Sequence, residues 1–133
     1  MTRTAARDQL FAQGVDDLTE LNALYESQDP QYCQQICQLG HQSIVNLMRG
    51  LLRLLGVRPP KTKDLSLLGE TLSMALPGWH ADCLELDILT NNALGQVVLG
   101  KPATEFEAEE SYLICGKVAE ELTNRLERLT DLM

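Results

Sequence analysis

Five basic side chains, Arg49, Arg53, Arg58, Lys61 and Lys63, fall within fifteen residues and make up five of the eleven Lys and Arg in the 133-residue chain. From Pro30 to Lys63 no Asp or Glu interrupts them; that segment carries +5 and the remaining residues −13, giving the net −8. Guanidinium and ammonium groups grouped in this way suit a charge-assisted grip on phosphate or on an acidic partner surface. The plainer use of the same residues is a solvated helix end whose cations offset the helix dipole. A second series is Cys33, Cys37 and His41. Its steps of four put all three on one helical face. A Cys/His pair at that spacing can share a metal, but structural zinc takes four ligands, and the other candidates, His80 and Cys83, fall on a different element. The expectation is buried cysteines flanking a partly exposed histidine, with no metal. Glu105, Glu107, Glu109 and Glu110 form an acidic cluster that reads as a dipole-favoured helix start rather than a catalytic pair. There is no G-x-S-x-G elbow, P-loop, Rossmann fingerprint or H-E-x-x-H, so neither a catalytic residue nor a cofactor is expected.

The bulk properties narrow the classes. The length suits one domain with a core of its own, residues 1–133 together. Hydrophobic residues make up 44% and charged residues 23%, which is ordinary for a globular chain. No apolar run approaches the ~18–20 residues of a membrane span, and MTRTAARDQLF lacks the apolar region of a signal peptide. A cytoplasmic chain off the membrane is expected, with its four cysteines reduced and buried. A pI near 4.6 argues against broad, sequence-independent DNA binding.

The elements that must position these groups read as helices almost throughout, with no convincing strand pair. The spacing predicts a first helix over about Thr4 to Tyr25, with Phe11, Val15, Leu18, Leu21 and Tyr25 on one face. Asp29 and Pro30 suit the cap and first position of a second helix running to Leu55. Tyr32, Ile36, Leu39, Ser43, Leu47, Leu51 and Leu54 form one stripe on it; Cys33, Cys37, Ile44, Met48, Leu52 and Leu55 form another. Its polar stripe is Gln34, Gln38, Gln42, Asn46, Arg49 and Arg53. An apolar arc this wide predicts a central helix, or one that also lines a homodimer interface. Gly56 should end it, and Arg58-Pro59-Pro60-Lys61 should be extended. Thr62 is expected to cap a short third helix, Lys63 to Ala75, with Leu65, Leu68, Leu72 and Leu76 inside. Pro77-Gly78 breaks it, and a fourth helix is expected from Trp79 to Asn92. Val97-Val98-Leu99 is expected to tuck against the bundle. Thr104-x-x-Glu107 is a capping box opening the last helix, whose seam is Ala108, Tyr112, Cys115, Ala119, Leu122, Leu126 and Leu129. The expected architecture is all-α: an antiparallel up-and-down four-helix bundle with one additional short helix.

The helix with Arg49 and Leu51-Leu52, then Gly56, Pro59-Pro60, Lys61-Thr62, Asp64-Leu65 and Leu68, resembles the HEPN superfamily. These are small prokaryotic helical bundles often encoded beside nucleotidyltransferases. The match covers about thirty residues, and the terminal helix from Thr104 fits more loosely. Lys63 stands where the family pattern has histidine, and Val45-Asn46 where it has Glu-Lys. The ribonuclease-active branch needs Arg and His four to six residues apart, and neither His41 nor His80 has an Arg in the preceding ten positions. Lysine does not replace neutral histidine as a proton shuttle near neutral pH, since its ordinary pKa is ~10.4. The resemblance therefore implies a non-catalytic member. That member would be a binding subunit within a toxin–antitoxin-like module, pairing with a nucleotidyltransferase or engaging a nucleotide or RNA. Arg49, Arg53, Arg58, Lys61 and Lys63 would form its ligand- or partner-binding surface. The alternatives are an RNA endonuclease of the same superfamily and a purely structural or regulatory helical homodimer.

Overall fold

The computed structural model describes residues 8–95 and 100–132. Among them are five α-helices and no strand: α1 (Gln9–Glu26), α2 (Cys33–Leu54), α3 (Leu65–Ala75), α4 (Cys83–Thr90) and α5 (Glu105–Leu132). A 3₁₀ turn, Pro30–Tyr32, leads into α2, and a π turn, Asn91–Gly95, follows α4. The all-helical class is as expected. Val97-Val98-Leu99 and the expected start of the first helix at Thr4 lie outside the described residues.

Local chemistry sets the ends. Asp8 caps α1 by accepting from the Leu10 and Phe11 N–H groups, both at 3.0 Å. Gly56, with φ +77°, closes α2. The Val57 N–H returns to the Leu52 carbonyl at 2.8 Å and the Gly56 N–H to Arg53 at 3.1 Å, a Schellman arrangement that needs the left-handed glycine. The third helix starts later than the spacing predicts, because Asp64, not Thr62, is its cap and accepts from Ser66 at 3.0 Å. Thr62 instead accepts from the Asp64 N–H. The fourth helix also starts late: Asp82 caps it, while Trp79 stays in the preceding turn with its ring buried and its Nε1–H donated to Glu121. The capping box of α5 forms as predicted, with Thr104 and Glu107 exchanging backbone bonds of 3.0 and 3.1 Å.

Helix α2 is central and touches every other helix. Ile44, Leu47, Met48, Leu51 and Leu52 on it are fully enclosed, each contributing roughly 1.5–3 kcal/mol of burial. Its wide apolar arc is covered within the chain by α1, α3, α4 and α5, so the arc itself requires no second copy. The buried face of α1 is rotated from the expected one. Phe11, Gly14, Asp17 and Leu21 point inward, while Val15 is 43% exposed. Gly14 and Gly50 explain the rotation. A Cβ on Gly14 would sit 2.9 Å from Leu47, and one on Gly50 would sit 2.7 Å from the Phe11 nitrogen, so the two helices meet at bare backbone. Leu65, Leu68, Leu72 and Leu76 are buried as expected. On α4, Leu86 and Leu89 are buried but Leu84 is exposed.

Candidate functional site

The polar stripe of α2 opens onto a cavity of about 400 Å³, within the ~300–1,000 Å³ range usual for small-molecule sites. Gln38, His41, Gln42, Val45, Asn46 and Arg49 line it from α2, Lys63 from the segment before α3, and Ala93 and Leu94 from the π turn. The α2 residues recur at steps of three and four and cover about 16 Å of helix.

Arg49 is half-buried. Its Nε is enclosed and has no hydrogen-bond acceptor among the described residues. An unsatisfied enclosed donor costs roughly 1–3 kcal/mol, more when charged. Lys63 also makes no ion pair among the described residues; Arg53 is the one member of the basic series that does, 3.4 Å from Asp8. Its carboxylate partner doubles as the α1 cap, so Arg53 ties the end of α2 to the start of α1. Arg58 and Lys61 are exposed in the loop and do not line the cavity. The structure thus brings Arg49 and Lys63 together and leaves Arg53, Arg58 and Lys61 outside.

His41 is only 4% exposed, contrary to the partly exposed ring expected from the sequence. Its Nε2 lies 2.6 Å from the Lys63 carbonyl. A carbonyl only accepts, so Nε2 carries the proton and Nδ1 is the acceptor of the neutral ring. Burial lowers the pKa of this imidazole from its ordinary value, with the nearby Lys63 charge adding to the effect and the carbonyl bond opposing it. His41 also fastens the loop to α2, which fixes where the Lys63 backbone sits. Arg49 and His41 both line the cavity, about two turns apart on α2.

Behind the cavity stands Asp17 of α1, 3% exposed. It accepts from Asn46 Nδ2 at 3.0 Å, from Gln42 Nε2 at 3.5 Å and from Gln13 Nε2 at 3.0 Å. Sequence reading missed this carboxylate. Its signal was an acidic residue at a three-residue step from Gly14, on a face otherwise closed by Phe11 and Leu21.

The cysteines lie elsewhere. Burial raises the pKa values of Cys37 and Cys115 to about 11, which leaves both as neutral thiols. Cys115 packs against Ser43, with its Sγ 3.2 Å from the hydroxyl. Cys83 is half-buried rather than buried. Cys33 lines a smaller cavity of about 250 Å³ beside Tyr25 and Ile36, rimmed by Asp29, Glu105 and Glu109. Burial, then Glu105, raises its thiol pKa. An acidic rim and a protonated thiol suit neither anion binding nor nucleophilic attack. The charge of the lining therefore favours the α2 cavity as the candidate site.

No helix among the described residues is long and apolar enough to cross a membrane. Compared with known proteins, the chain matches no family model, no curated protein and no solved structure.

Proposed function

We propose that this chain is a binding domain that holds an anionic group, a phosphate foremost, in the α2 cavity through Arg49 and Lys63. One observation carries the reading: the enclosed Arg49 Nε, without an acceptor among the described residues, beside a cavity that Lys63 also lines. A planar guanidinium and an ammonium serve a phosphate well, since together they offer forked and point-charge donors to several oxygens. His41 and the side-chain amides complete a lining able to hydrogen-bond the rest of a small ligand.

The wider role rests on the resemblance to the HEPN superfamily. In that role the chain is a non-catalytic subunit, an up-and-down bundle that dimerises and works beside a nucleotidyltransferase-type partner. Arg58 and Lys61, exposed and without ion pairs among the described residues, are then the part of the basic series open to a partner's acidic surface.

Thermal unfolding with inorganic pyrophosphate tests the cavity. Pyrophosphate should raise the melting temperature of the wild type. Arg49→Ala should abolish that shift and Arg53→Ala should keep it, since Arg53 is already engaged by Asp8. Loss in Arg53→Ala with retention in Arg49→Ala would place the grip elsewhere.

A further inference from the structure

One nitrogen of the His41 ring is engaged and the other is not. The Nε2–H goes to the Lys63 carbonyl at 2.6 Å, which leaves Nδ1 with a lone pair and no hydrogen-bond partner among the described residues. Among those residues Arg49 Nε is the one side-chain polar atom that is both fully enclosed and without a partner. The small exposure of the His41 ring therefore reaches Nδ1, and the open space this side chain borders is the α2 cavity. A neutral ring turns a lone pair towards an anion held there, and lone pairs repel. A proton on Nδ1 converts the same contact into a charge-assisted N–H···O bond. The Nε2 bond to Lys63 is kept in both states, so the change needs no movement of the loop.

We propose that His41 is a third ligand of the anion site and engages only with a proton, so that anion and proton enter the cavity together. The proposal rests on the anion reading of the same cavity. The charges around the ring set the direction. From the segment before α3, the Lys63 ammonium opposes a positive ring and the Asp64 carboxylate favours it. On α2, Arg49 adds a second cation to the lining. From α1 comes Asp17, whose carboxylate is taken up by Gln13, Gln42 and Asn46. The last helix meets this part of α2 with Ser111 and the neutral thiol of Cys115 at Gly40, and its Glu107 and Glu110 act one turn away, at Cys37. The π turn adds Ala93 and Leu94, which carry no charge. Burial and the neighbouring cation hold the ring neutral on its own. An anion offsets Lys63 and Arg49 and gives Nδ1 an acceptor, so it draws a proton from solvent onto the ring. The coupling is reciprocal: a protonated ring tightens the anion.

The test follows the chain's two imidazoles by NMR across pH, with and without saturating pyrophosphate. His41 should titrate at higher pH when pyrophosphate is present, with the added proton on Nδ1, while the exposed His80 keeps its midpoint. Pyrophosphate should bind the wild type about tenfold more tightly at about pH 5.5 than at about pH 7.5, an ordinary size for coupling between two ligands. His41→Gln keeps an N–H for the Lys63 carbonyl and does not titrate. Its affinity should stay flat or fall over that range, because pyrophosphate itself loses charge on acidification. A His41 midpoint unmoved by pyrophosphate, beside a melting shift that Arg49→Ala abolishes, would overturn the inference and leave the anion reading standing. Equal movement of His41 and His80 would overturn it as well, as a general effect of ionic strength. No melting shift in the wild type would overturn both readings before any histidine is measured. The wild-type titration decides the matter by itself if His41→Gln folds poorly.

Discussion

His41 carries two consequences at the residue scale. Its ring is held neutral by burial, so the folded chain takes up the imidazole proton at lower pH than the unfolded chain, whose value is 6.5. The unfolded state therefore binds more protons in that window. The stability that depends on the neutral ring is complete above 6.5 and falls as pH drops through it towards the lower folded value. Between about pH 7.5 and about pH 5.5 the wild type should lose more melting temperature than His41→Gln. Glutamine keeps an N–H for the Lys63 carbonyl and does not titrate. Parallel losses in the two proteins would contradict the buried, neutral ring. The second consequence is geometric: a ring bonded to the Lys63 carbonyl fixes the backbone from which one of the two cationic side chains of the candidate site extends. Arg49 is the other, and it stands apart from its neighbours in the basic series because its Nε is enclosed without an acceptor among the described residues, while Arg53 has Asp8.

At the scale of elements, the polar stripe of α2 was legible in advance. Gln38, Gln42, Asn46 and Arg49 all line the cavity from it, because helical periodicity alone puts them on one face. The inner face of α3 and the capping box of α5 were legible for the same local reasons. The inward face of α1 was not. Periodicity weighs Val15 above Gly14, yet close backbone packing rewards the residue with no side chain, and this turned α1 so that Asp17 reached α2. No local rule shows which two glycines will meet a neighbouring helix. The energetic claim is open to a direct check. Gly50→Ala would press a methyl against Phe11 at 2.7–2.8 Å and should cost about 1–3 kcal/mol by urea unfolding. Gly116→Ala, with open space at its Cβ position, should instead stabilise by about 0.5–1 kcal/mol. A neutral Gly50→Ala would show that α1 and α2 do not pack so closely.

For the whole molecule, the charge split between the 30–63 segment and the rest does not show which cations share a cavity. An acidic chain with net −8 repels anions at long range, so the proposed anion binding relies on short-range geometry in a partly enclosed cavity, where opposite charges interact more strongly than in open water. The sequence grouped five cations as one surface; folding divides them into a cavity pair, a helix tie and two exposed loop residues. That division depends on which loop residue His41 holds and on where α1 begins, and neither follows from spacing along the chain. The most direct measurement is the side-chain Nε–H NMR spectrum of the arginines during a pyrophosphate titration. The Arg49 signal should shift at saturation, while the Arg53 signal, tied to Asp8, stays in place. A spectrum in which Arg49 is unmoved, whether or not other arginines shift, would contradict the site.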